Sequence, residues 1–186
     1  MNEQDLTLER KREKSLAVMA CITKVFQQDY QQAMANVEKT EQQLLDHQKK
    51  TKCKGIFGFV LNLILKLFVN SDMPVYLPEK GDYSDVQRMI EQGKCETKRG
   101  YAELFSLLDR ITKKMESSDE AVEKGYAVLK SVADLEQNIA QALMQISSDM
   151  AISLTALNRK FIDLLKQDAG DLAKLRECVR AEIWRS

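Results

Sequence analysis

Apolar and small side chains recur at alternating steps of three and four from Leu16: Leu16, Met19, Thr23, Phe26, Tyr30, Ala33, Val37, Thr40, Leu44 and His47. Steps averaging 3.5 residues mark a helix that lies along partner helices, and they predict a first helix over residues 3–51. At about 1.5 Å per residue such a helix is roughly 70 Å long. Thr23, Thr40 and His47 place polar groups in this seam, which lowers stability and favours one alignment with a partner helix.

A stronger seam runs through the second half of the chain. Val122, Leu129, Leu143, Met150, Leu157 and Leu164 share one seven-residue register, interrupted by Glu136, and Tyr126, Ala133, Ala140, Ser147, Leu154 and Phe161 fill the second position. The pattern predicts one long heptad helix over 118–168, with Leu129, Leu143, Met150, Leu157, Phe161 and Leu164 as its coiled-coil seam. Ser117 with Glu120 reads as a capping box at its start. In "DAGD" (168–171), Gly170 can end that helix and Asp171 can begin a short last one over 171–185, carrying Leu172, Leu175, Val179, Ile183 and Trp184.

Both prolines fall in "NSDMPVYLPEKGDY" (70–83), so residues 71–83 are expected to be a loop. Ser84 with Gln87 then opens a helix over 84–116 that buries Val86, Ile90, Tyr101, Leu104, Leu107, Leu108, Ile111 and Met115. Gly93 and Gly100 lie seven apart on nearly one face, where they either weaken the helix or let another backbone come close.

Composition agrees with the periodicity. Seven glycines and two prolines in 186 residues describe helices rather than sandwiches or parallel-sheet enzymes. The expected fold is all-α: one domain over 1–186, an elongated helical bundle or antiparallel coiled coil of long helices with a short hydrophobic insert. Its seams can be satisfied within the chain or between chains, so a homo-oligomer or a helical protein partner is expected.

Lys plus Arg equals Asp plus Glu at 28 each, so no net field draws the whole chain to a polyanion. The basic runs "ERKREK" (9–14) and the lysines at 49–54 are short and separated by acidic residues, and no nucleic-acid partner is expected. Cys21, Cys53, Cys95 and Cys178 have no metal-type spacing and are expected to be reduced thiols. "SLAVMAC" (15–21) has the outline of a signal or lipoprotein motif. Glu3, Asp5, Glu9 and Glu13 precede it, and its apolar run is too short, so no cleavable signal peptide is expected. The expected form is soluble and able to associate with a membrane, either cytoplasmic or secreted by a signal-independent route.

No phosphate-binding loop, metalloprotease motif, nucleophile elbow or Cys-x-x-Cys pair is present. His47 is the single histidine, and its seam position assigns it to helix packing rather than to a catalytic pair. The chain is expected to be no enzyme, with no cofactor, no metal and no catalytic residue.

The unusual stretch is "KKTKCKGIFGFVLNLILKLFVN" (49–70). Within residues 56–69, Ile56, Phe57, Phe59, Val60, Leu61, Leu63, Ile64, Leu65, Leu67, Phe68 and Val69 leave only the narrow arc of Gly58, Asn62 and Lys66 without a large apolar side chain. A helix apolar nearly all round must be buried, in protein or in lipid. Residues 56–69 as a helix span about 21 Å, short of the roughly 30 Å hydrocarbon core. Lys49, Lys50, Lys52 and Lys54 would meet anionic lipid head groups at about 1 kcal/mol each, and Cys53 among them offers an acylation site. Membrane lipids are the expected partner.

A long amphipathic helix, a hydrophobic segment and then a long coiled coil resemble the order of elements in alpha pore-forming toxins and in the translocators of bacterial type III secretion. Many of those proteins carry a two-part hydrophobic hairpin, whereas residues 56–69 stand singly here. The resemblance implies a helical protein that engages membranes through a hydrophobic tip and forms pores on oligomerisation, as toxins of the virulence kind do. The alternative is a cytosolic coiled-coil scaffold or adaptor whose apolar segment is bundle core or a dimer interface.

Overall fold

The computed structural model describes residues 6–49, 84–135, 138–167 and 169–185. The hydrophobic segment 55–70, its lysines and the loop 71–83 lie outside the described residues, as do the side chains of Leu44, His47 and Lys49. The fold is all-α, and among the described residues there is no strand. Among the described residues six helices follow one another: α1 (Leu8–Lys49), α2 (Ser84–Ser117), α3 (Asp119–Leu135), α4 (Ile139–Asp149), α5 (Ala156–Gln167) and α6 (Ala169–Ile183).

The chain forms two compact units, Met1–Gln28 with Gly100–Ser186, and Asp29–Arg99. In the first, Val18, Met19, Ile22 and Phe26 of α1 and Leu104, Leu107, Leu108, Ile111 and Met115 of α2 join the apolar faces of α3 to α6 in one core cluster. At about 25 cal/mol per Å² of apolar surface removed from water, that burial is the main term holding these helices together. In the second unit Val37, Thr40, Val86 and Ile90 are buried, and Lys94 pairs with Glu41 at 3.1 Å.

The expected helix over 118–168 is three helices. Asn138 caps α4 by accepting from the Ala140 amide at 2.8 Å, so the chain restarts there. Lys124, early in α3, donates to the carbonyl of Asp149, at the end of α4, so α3 and α4 form an antiparallel hairpin. The α4 end is a Schellman motif: Ile152 N–H donates to Ser147 O at 2.7 Å and Ala151 N–H to Ser148 O at 3.0 Å. Ala151 occupies the left-handed position with φ 53°, where glycine is usual. Thr155 then caps α5 by accepting from the Asn158 amide.

A hairpin and a continuous helix can share one heptad pattern, because facing helices of a hairpin bury the same positions. Val122, Leu129, Leu143 and Met150 are therefore buried although the helix carrying them is interrupted. The register fails only past the Schellman turn. Leu157 and Phe161 are half-buried, Leu164 is 61% exposed, and Ile162 and Asn158 point inward instead.

Smaller expectations change as well. Ser118, not Ser117, caps α3, accepting from the Ala121 amide, while Ser117 donates back to Lys113 O. Glu120, expected in the capping box, pairs with Lys124 at 2.6 Å. The last helix starts at Ala169, two residues earlier than expected, and Trp184 lies beyond its end at 49% exposure.

Candidate functional site

Two polar seam positions of α1, Thr23 and Thr40, donate within their own helix. Thr23 Oγ1 donates to Met19 O and Thr40 Oγ1 to Asn36 O, each at 2.8 Å, and Ser147 Oγ likewise donates to Leu143 O at 2.6 Å. A hydroxyl bonded to the carbonyl four residues back has its donor satisfied within the helix.

The basic run at the start of α1 has a structural task that its composition did not disclose. Arg12 reaches the corner between α2 and α3: its Nη1 donates to Met115 O at 2.6 Å and Glu116 O at 3.1 Å, and its Nη2 pairs with Asp119. The carbonyls at the end of a helix have no partners within it and carry the negative pole of its dipole, so a guanidinium there satisfies both. Lys11 pairs with Glu123 of α3 at 2.8 Å. Lys14 donates to Ile183 O and Arg185 O, both at 2.6 Å, at the end of α6. The neighbouring "SLAVMAC" stretch lies within α1, where Ser15, Val18 and Met19 are buried.

Gly100 does admit a close neighbour, but a ring rather than a backbone. The Phe161 ring of α5 lies over it and meets Tyr101 edge-on, with centroids 5.1 Å apart. Arg110 donates to Ser153 O and Asn158 Nδ2 to Glu103 O, so α5 runs antiparallel to this part of α2. Gly125 of α3 makes the corresponding room for the Met115 and Met150 side chains.

Two cysteines expected to be free are joined. Cys21 of α1 and Cys178 of α6 form a disulfide across a sequence separation of 157. No spacing motif announces it, since only the antiparallel packing of α1 and α6 brings the two positions together. Cys95 is free and exposed.

Chemistry-bearing constellations are sparse. Among the described residues no group of three or more His, Cys, Asp or Glu could hold a metal ion, and no helix is long and apolar enough to cross a membrane. A groove of about 130 Å³ is lined by Arg10, Glu13, Lys14, Ala17, Glu182 and Arg185. Lys14 is engaged by helix-end carbonyls and Arg185 by Glu182 at 3.1 Å, so much of its charge is already matched. Large apolar side chains reach solvent at Leu164, Trp184 and Met89. Of the expected seam, Leu129, Leu143 and Met150 come together in the core; Leu157, Phe161 and Leu164 do not join them in one buried line.

No protein-family model, no curated protein and no solved structure matches this chain.

Proposed function

We propose that this chain is a non-enzymatic helical-bundle protein that engages membranes through residues 56–69 and acts in a pore-forming or translocator-like manner on oligomerisation. The observation that carries the reading is the run from Ile56 to Phe68, apolar around most of a helix and preceded by Lys49, Lys50, Lys52 and Lys54. A short apolar run flanked by lysines finds its favourable solvent in the interfacial region of an anionic bilayer.

Flotation of the full chain with anionic vesicles tests this. Co-flotation of wild type, lost in Leu61→Asp and Leu65→Asp with thermal unfolding unchanged, is the expected result. Failure of the wild type to float, as monomer and as oligomer, overturns it. If either aspartate instead collapses the fold, the segment is protein core and the scaffold reading takes over. That second reading is favoured by Leu164, whose exposure leaves an apolar position open to a helical partner.

A further inference from the structure

Cys21 of α1 and Cys178 of α6 have Cα atoms 6.1 Å apart. That separation lies inside the range of about 4.4 to 6.8 Å that a disulfide requires. The link and the Lys14 bonds to Ile183 O and Arg185 O show that the two helices run antiparallel. Besides the link, Leu175, Val179 and Ile183 of α6 are buried in the core, Arg180 Nε donates to Ala133 O at 3.2 Å, and Lys14 holds the carbonyls at the helix end. A helix of 15 residues is marginal by itself, so its attachment to the bundle decides whether it stays folded.

We infer that Cys21–Cys178 is a redox-set clamp that fixes α6 to α1 and whose reduction lets α6 open locally. The cysteines differ in access, with Cys178 buried and Cys21 half-buried. The exchange therefore enters through Cys21. On oxidation by a small disulfide such as glutathione disulfide, the Cys21 thiolate attacks one glutathione sulfur and expels a glutathione thiolate. The Cys178 thiolate then attacks Cys21 Sγ and expels the second. One Sγ–Sγ bond forms and one glutathione disulfide bond breaks. Two electrons pass from the protein dithiol to glutathione, and the two thiol protons end on the two glutathiones. Excess thiol reverses the sequence, attacking at Cys21 and releasing Cys178. Cross-links of this kind shift an opening equilibrium by about 30- to 1,000-fold.

The test is hydrogen exchange of the full chain after oxidation with glutathione disulfide and after reduction with excess dithiothreitol, with thiol counts for each state. Oxidation is expected to remove two reactive thiols, mapped by peptide mass to Cys21 and Cys178. Reduction is expected to speed exchange of the α6 amides by about 30- to 1,000-fold while leaving α4 unchanged. Cys21→Ser and Cys178→Ser should each match the reduced wild type and ignore dithiothreitol. Cys21→Ala serves in place of a serine variant that does not fold. Equal α6 exchange in both states, or Cys21 and Cys178 still reactive as thiols after oxidation, overturns the inference.

Discussion

Gly100 and Phe161 meet so closely that a methyl group on Gly100 would lie 2.9 Å from Cδ2 and 3.2 Å from Cε2 of the ring. A glycine inside a helix otherwise costs about 1 kcal/mol against alanine. Here the missing methyl is the space the aromatic ring uses, and the ring in turn packs on Tyr101.

Gly100→Ala is therefore expected to lower stability by about 1 kcal/mol, overpacking outweighing the gain in helix propensity. Chemical denaturation of Gly100→Ala, Phe161→Ala and the double variant measures the coupling. A stabilised single variant would show that the ring moves aside at no cost.

Replacing Arg12 by Met removes charge-assisted bonds to Met115 O and Glu116 O and the pairing with Asp119. The expected loss is about 2 kcal/mol, read from the denaturation midpoint. Arg12→Lys should recover less than half, because one ammonium cannot span a fork of three acceptors. Full recovery by lysine would mean that charge alone matters at this corner.

Ala151 holds a left-handed conformation in the Schellman motif, which disfavours any side chain with a Cβ. Ala151→Gly should stabilise by about 0.5–1 kcal/mol, visible as a raised melting temperature. Ala151→Val should destabilise, and an unchanged melting point in both variants would contradict the assigned conformation.

Lys94 has its pKa raised above the ordinary lysine value of 10.5, first by its hydrogen bond to the Glu41 carboxylate and then by the charge of Glu41. A raised pKa means that the pair's contribution is fully present below the unfolded lysine value and is lost as pH rises through the folded one. The wild-type advantage over Glu41→Gln in melting temperature should therefore persist at neutral pH and shrink above about pH 10.5. An advantage that grows in alkali would reverse the sign of this linkage.

On the proposed membrane reading, replacing Lys49, Lys50, Lys52 and Lys54 together by Gln should weaken binding to anionic vesicles by about a thousand-fold, at about 1 kcal/mol per lysine. Binding should also lose most of its salt dependence. Equal binding by the variant would leave the apolar run as the sole attachment.

Much of the fold was legible because burial follows period. Helix α2 begins at the expected residue, Ser84, and buries the expected Val86, Ile90, Leu104, Leu107, Leu108, Ile111 and Met115, with Tyr101 half-buried. The α1 seam buries Met19, Phe26, Val37 and Thr40. The proposed membrane segment is legible from sequence only, since it lies outside the described residues.

By itself, the sequence determined that the chain is helical and which positions avoid water. Periodicity encodes a face, and hydrophobic burial acts on that face whatever it packs against. Tertiary structure decided where α3, α4 and α5 separate, because a hairpin and a continuous helix bury the same heptad positions until a turn such as that at Ala151 resets the phase. It also decided the tasks of Arg12, Lys14, Cys21 and Cys178. Their partners lie more than a hundred positions away, and only the packing of α1 against α2, α3 and α6 brings those helix ends and that second thiol within bonding distance.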